Sequence, residues 1–169
     1  MNKVLQNQQK PLCDNKEEEE MSEVIFFPEV SSYNRNPAGY KWSKLSELLS
    51  LVSGAKTSLD MCLYLVTLPE LANIAIRLHQ TGVKVRLVVE SSNVGISGCQ
   101  VSKMSRSGVD IVVRRQTGLM HHKFVVIDNN IVMTGSFNWT LQVSFSSDFI
   151  LCCPNCPYLF VCILLGCAE

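Results

Sequence analysis

Met120–Thr140, MHHKFVVIDNNIVMTGSFNWT, is the stretch whose reading decides the fold. Phe124–Ile127 is a run rich in β-branched residues, Asn129-Asn130 suits a tight turn with positive φ, and Ile131–Thr134 returns as a second strand. Such a hairpin brings the start of its first strand and the end of its second to one place. His121 and Lys123 stand two apart, so strand alternation points them to one face. Ser136 and Asn138 are also two apart and converge on them from the partner strand. Asp128 completes a spacing H-x-K-x4-D, and six residues later comes G-S-x-N from Gly135 to Asn138.

These residue types suit attack on a phosphodiester, whose negative charge repels ordinary nucleophiles. A neutral imidazole at His121 can bond to phosphorus and divide one hard displacement into two. Lys123 neutralises the non-bridging oxygens, and Ser136 and Asn138 add donors aimed at the same developing charge. Asp128 is expected to fix a histidine tautomer and stabilise the imidazolium, as the carboxylate of a triad does. No metal or other cofactor is required, and no metal-ligand cluster lies near the stretch.

H-x-K-x4-D-x6-G-S-x-N resembles the signature of the phospholipase D (HKD) superfamily, and MHHKFVVID with TGSFNWT is further similar to its mitochondrial branch. The resemblance extends over Val24–Pro28 (VIFFP) and Leu78–Glu90 (LHQTGVKVRLVVE), covering Val24 to Thr140. It implies that His121 is the nucleophile, that Lys123 binds phosphate and that Asp128 supports the histidine. It implies as substrate either cardiolipin, cleaved to phosphatidic acid, or single-stranded RNA, cut in piRNA production. Both present the same diester, and the residues do not choose between them. A membrane surface and the mitochondrial outer membrane follow from the resemblance alone. Relatives of that branch open with a spanning helix, whereas no run of roughly 20 apolar residues precedes the domain here. A cytoplasmic location is the alternative.

A chain of 169 residues has the size of one domain. Its formal net charge is zero, so the molecule as a whole does not read as a polyanion binder. Between Lys56 and Thr140, however, nine basic residues face five acidic ones, a balance that suits a phosphate-bearing substrate. Eight cysteines without a signal peptide point to reduced thiols rather than a secreted disulfide framework. Cys153-x-x-Cys156 resembles half a zinc site but lacks a second ligand pair. A simple RNA-binding module is disfavoured, because no aromatic stacking motif is present.

Residues 1–22 are polar, end in a run of four glutamates and read as a disordered acidic tail. The phospholipase D-like domain is placed at 23–151. Glu23–Phe27 reads as the first strand, and Ser31–Tyr40 as a loop in which no cysteine or histidine marks the zinc insert carried by many relatives. Ser43–Val52 reads as a helix capped by Ser43, with Leu45, Leu48, Leu49 and Val52 on one face. Ser58–Thr67 is a strand buried on both faces. Pro69–Thr81 is a helix with Leu71, Ile74, Ala75 and Leu78 inward, stopped by Gly82. Val83–Glu90 is a strand with one face partly wetted at Lys84 and Arg86. Gln100–Ser107 is a short helix before Gly108, and Asp110–Arg115 is a further strand. The predicted class is therefore α/β: a mixed β-sheet flanked by helices, compatible with the HKD fold.

Other polar and aromatic residues have blander readings. His79 belongs at a solvated helix end, His122 alternates away from His121 into structural packing, and Trp139 packs in the core. Arg114 and Arg115 either line a phosphate groove or end a solvated strand.

Beyond Thr140 the resemblance fades. Leu141–Leu151 still supplies a strand, with Asp148 near the acidic position of the family. The family's C-terminal helix is replaced by residues 152–169, CCPNCPYLFVCILLGCAE, where Pro154 and Pro157 oppose a helix. A truncated or alternatively spliced product is the expected reading of this divergent tail, and a catalytically impaired isoform acting as a binding or dominant-negative subunit stands as the rival reading. A single motif is also half a site, since a second imidazole must protonate the leaving oxygen and then activate water. A homodimer with the two His121 side chains facing one phosphate supplies it.

Overall fold

The structure, a computed structural model, describes residues 22–27, 37–115, 118–140 and 148–154. The expected acidic tail, most of the 31–40 loop and most of the cysteine-rich tail lie outside them.

Seven strands form one mixed sheet: β1 (Glu23–Phe27), β2 (Ser58–Leu63), β3 (Lys84–Glu90), β4 (Asp110–Arg114), β5 (Lys123–Ile127), β6 (Ile131–Gly135) and β7 (Asp148–Cys153). Their spatial order is β1-β7-β6-β5-β2-β3-β4. Strand β2 is interior to the sheet, and all six of its mostly apolar residues are buried. On one side it pairs in parallel with β3, which pairs in parallel with β4. Parallel neighbours require crossovers, and α2 (Pro69–Gln80) and α3 (Val101–Arg106) provide them. On its other side β2 pairs antiparallel with β5, which turns back into β6. Strand β7 adds to β6, and β1 closes the far edge against β7.

Helix α1 runs Pro37–Ser53, so it starts six residues before the expected Ser43 and absorbs the end of the expected loop. Pro37 accounts for the difference: its fixed φ and missing N–H suit the first helical turn. Leu45, Leu48 and Val52 are buried on its inner face. Helix α2 opens on Pro69 and buries Leu71, Ala72, Ile74, Ala75 and Leu78, the expected stripe with one alanine added. These side chains join Leu59, Met61, Val85, Leu87 and Val89 in the main core, each large one contributing about 1.5–3 kcal/mol on burial.

The other face of the sheet carries a smaller cluster of Cys62, Met120, Phe124, Val126 and Val132. Beside it Asp60 of β2, 1% exposed, is ion-paired with Arg86, its register partner on β3. The Asp60 carboxylate raises the guanidinium pKa of Arg86.

The hairpin turn sits one residue earlier than expected. Asp128 and Asn129, not Asn129 and Asn130, take positive φ (55° and 53°). The Asn130 N–H closes the turn on the Ile127 carbonyl at 2.9 Å. Positive φ at both central residues matches the right-handed twist of the flanking strands, and Asp and Asn tolerate it better than most residues.

Candidate active site

The parallel strands fix where the chemistry gathers. Leu63 is level with Val89 of β3 and with Lys123 of β5. The ends of β2 and β3 and the start of β5 therefore share one edge, the C-terminal side of the parallel strands, where open α/β sheets carry ligands. Tyr64, Glu90 and His121 each lie just at or beyond this edge.

His121 precedes β5 and is exposed, while Lys123 opens β5 half-buried. The two expected partners meet. Lys123 Nζ lies 3.1 Å from His121 Nε2, 3.2 Å from Nδ1 and 3.2 Å from the His121 carbonyl oxygen. An ammonium has only N–H groups to offer, so the ring nitrogen that accepts one must carry a lone pair. Tyr64 forms a wall to this pair. Its ring meets that of His121 edge-on with centroids 4.6 Å apart, and Lys123 Nζ stands 5.7 Å from its centroid.

The segment bearing His121 is pinned on both sides. The Met120 N–H donates to Glu90 Oε2 at 2.9 Å, and the Tyr64 N–H donates to the His122 carbonyl at 2.8 Å. Asn93 in turn holds Tyr64, its Nδ2 donating to the Tyr64 carbonyl at 2.8 Å. The Met120 N–H, together with donors from Ser91 and Ser92, holds the Glu90 carboxyl below the usual carboxylate range against the opposing effect of burial.

Ser136 and Asn138 come to the same edge. Thr134 pairs with Phe124, so β6 leaves the sheet at the level where Lys123 enters it. Phe137 and Trp139 point inward and are buried, edge-on to each other at 5.9 Å, while Ser136 and Asn138 are half-buried. The Trp139 carbonyl accepts from the amides of Thr67 and Leu68, both at 3.1 Å, which clamps the G-S-x-N segment to the chain leaving β2. Asn138 Oδ1 is buried with no hydrogen-bond partner among the described residues.

Asp128 corrects the expected constellation. It follows Ile127, four strand residues from Lys123, and so lies about 13 Å or more along β5 from the His121 edge. Its carboxylate accepts from the backbone amides of Lys56 (3.0 Å), Thr57 (2.7 Å) and Ser58 (3.0 Å) and from the Thr57 hydroxyl (3.0 Å). Desolvation raises its pKa, but the N–H donors of Ser58, Thr57 and Lys56 outweigh that and lower it. Asp128 therefore ties the hairpin turn to the start of β2 and does not orient His121. The physical reason is the period of the motif: four residues between Lys and Asp cross the whole strand.

The remaining readings divide. Trp139 is core, 1% exposed. His122 is exposed rather than packed; its ring meets Phe124 edge-on at 6.1 Å, and its contribution is the carbonyl that Tyr64 binds. His79 is half-buried, and a Cβ on Gly108 (φ 90°) would meet its Nε2 at 3.0 Å, at the opposite sheet edge. Arg114 is half-buried and Arg115 exposed, at the candidate edge. Strand β7 takes in Cys152 and Cys153, and burial raises the Cys152 thiol to about 11. Tyr64, Glu90 and Asn93 escaped the sequence reading. The available signal was an acid closing the apolar strand VKVRLVVE at its C-terminal end. Among the described residues no group of three or more His, Cys, Asp or Glu is placed to hold a metal ion.

Residues 48–149 match the family model described as cardiolipin synthase, PLD-like domain. Curated relatives include the mitochondrial cardiolipin hydrolases of Xenopus tropicalis, 36% identical over 72% of this chain and 63% of that protein, and Homo sapiens, 38% identical over 59% and 40%. The chain thus spans less than two thirds of the length of these relatives. Among solved structures, the phospholipase D family member Nuc from Salmonella typhimurium superposes with a TM-score of 0.69 at 24% identity, over 86% of this chain and 90% of that one. NucT from Helicobacter pylori superposes with a TM-score of 0.66 at 18% identity, over 86% and 92%.

Proposed function

The chain belongs to the phospholipase D-like family, and from that premise we propose that it is a phosphodiesterase acting through a covalent phospho-histidine at His121. The observation that carries the reading is the contact of Lys123 Nζ with both His121 ring nitrogens at an exposed sheet edge. The imidazole attacks phosphorus, one alcohol leaves with a proton, and water then breaks the P–N bond. Lys123 faces the non-bridging oxygens. Ser136 and Asn138, half-buried at the same edge, supply further donors.

The reaction needs a second proton carrier. The chain has three histidines, of which His79 packs at the opposite edge and His122 adjoins the nucleophile. A homodimer pairing two His121 edges supplies the acid and later the base.

Cardiolipin is the proposed substrate, since the curated relatives carry that activity in their names. Leu119, 66% exposed two residues before His121, supports it as a surface for a lipid chain. Single-stranded RNA is the second reading, supported by Arg114 and Arg115 at the same edge. Placement at mitochondria rests on the relatives' names; no described helix is long and apolar enough to cross a membrane.

The test offers cardiolipin vesicles and a single-stranded oligoribonucleotide to wild type and His121→Asn, with the solution mass measured alongside. Cleavage of one substrate by a dimeric wild type only is expected. Equal cleavage by both proteins overturns the assignment. A dimeric but inactive wild type supports instead the impaired, partner-binding isoform.

A further inference from the structure

Glu90 closes β3 and is 7% exposed, with its carboxylate turned toward the peptide that precedes His121. The two oxygens divide their work. Oε2 takes the Met120 N–H at 2.9 Å, while Oε1 takes the Ser91 hydroxyl at 3.1 Å and the Ser92 N–H at 3.4 Å. The serines of the turn Ser91–Asn93 thus hold the carboxylate from behind, and the shorter backbone bond goes to the loop.

Among the described residues, no strand ladder runs between the end of β4 at Arg114 and the start of β5 at Lys123. His121 is exposed and hangs between two anchored peptides, Met120 N–H on Glu90 and the His122 carbonyl on Tyr64. The buried Met120 side chain, with its sulfur 3.5 Å from Cys62 Sγ, is the third anchor. In-line attack at phosphorus tolerates little wander, since a displacement of about 1 Å costs on the order of 100-fold in rate.

We infer that Glu90 is a positioning residue for the nucleophile: by holding the Met120 amide it fixes the backbone from which the His121 imidazole projects. The inference rests on the phosphodiesterase reading. An ionised carboxylate is the stronger acceptor for an amide, so a neutral glutamine keeps the bond in weakened form and alanine removes it.

The experiment uses the full chain as wild type, Glu90→Gln and Glu90→Ala, with bis(4-nitrophenyl) phosphate as the probe diester. Steady-state kinetics are taken well below each protein's melting temperature, and amide hydrogen exchange is read at Met120 against Val125 inside β5. Glu90→Ala is expected to lower kcat about 10- to 100-fold with KM changed less than about twofold, and Glu90→Gln to lower kcat about three- to tenfold. Protection at Met120 should fall about tenfold or more relative to Val125 in the alanine variant. Unchanged kcat per folded molecule with only a lower melting temperature would make Glu90 merely structural and overturn the inference, as would unaltered Met120 protection. Should Glu90→Ala not fold, Glu90→Gln decides on the same two readouts. An inactive wild type would defeat the phosphodiesterase reading, and Met120 exchange alone would then decide whether Glu90 holds the loop.

Discussion

The Thr57 amide donates to the Asp128 carboxylate at 2.7 Å, at the end of β5 farthest from Lys123. The third residue of the motif is thus a fastener for the hairpin turn. Removing it strands the amides of residues 56–58, each unsatisfied donor costing about 1–3 kcal/mol where water does not replace the partner. Asp128→Ala should therefore lower stability by about 2 kcal/mol, while kcat per folded molecule stays within about twofold of wild type. Urea unfolding and kinetics on the same preparation check this; a large kcat loss at unchanged stability would return Asp128 to the catalytic set.

Lys123 and His121 should behave differently from Asp128. His121→Asn keeps the size of the side chain but loses the nucleophile, and kcat should fall about 10³-fold or more with little change in the unfolding midpoint. Lys123→Met removes the charge that meets the phosphoryl oxygens and should lower kcat/KM about 10²- to 10³-fold. Raising the ionic strength should not restore the activity of either variant.

Acid should loosen the fold through Asp128 and Glu90. Both carboxyls titrate below their ordinary values in the folded chain, the first despite the desolvation that opposes it and the second chiefly through the Met120 N–H. The unfolded chain thus binds more protons in the acid range. The stability they contribute is complete above the unfolded values near about 4 and is lost as pH falls through the lower folded values. Unfolding midpoints measured downward from pH 5 should drop more steeply for wild type than for Asp128→Asn. Equal slopes would mean that the Asp128 contacts are absent in solution.

The Asp60–Arg86 pair sets a fourth test. Asp60 is buried in strand β2, and its Oδ2 has no hydrogen-bond partner among the described residues. Arg86→Leu leaves that charge uncompensated and should destabilise by about 3 kcal/mol, whereas a second change, Asp60→Leu, should recover most of the loss. Denaturant titration of the two variants decides; a double variant weaker than the single one would contradict it.

The hairpin was legible because period-two patterning, turn residues and the His-Lys spacing agree over one short stretch. Strand β2 and helix α2 were legible from their apolar runs, and the mixed α/β class from the order of elements. The role of Asp128 was not, because a motif spacing says which residues recur but not which end of a strand each occupies. Helix α1 was started too late because Ser43 offered a plausible cap, while Pro37 further upstream was the stronger signal. Glu90, Asn93 and Tyr64 act through backbone contacts to residues far away in sequence, and no local pattern records such a pairing. Strand alternation sends His122 into packing only if the strand includes it, but β5 begins at Lys123, so the alternation does not reach it.

The central claim is a bond between the His121 imidazole and phosphorus. Rapid quenching of turnover with cardiolipin or an oligoribonucleotide, followed by peptide mapping under conditions that spare acid-labile phosphoramidates, tests it most directly. The account predicts a mass adduct on His121 that disappears with excess water-driven turnover and is absent in His121→Asn. An adduct on another residue, or full turnover with none detectable at any quench time, would contradict it.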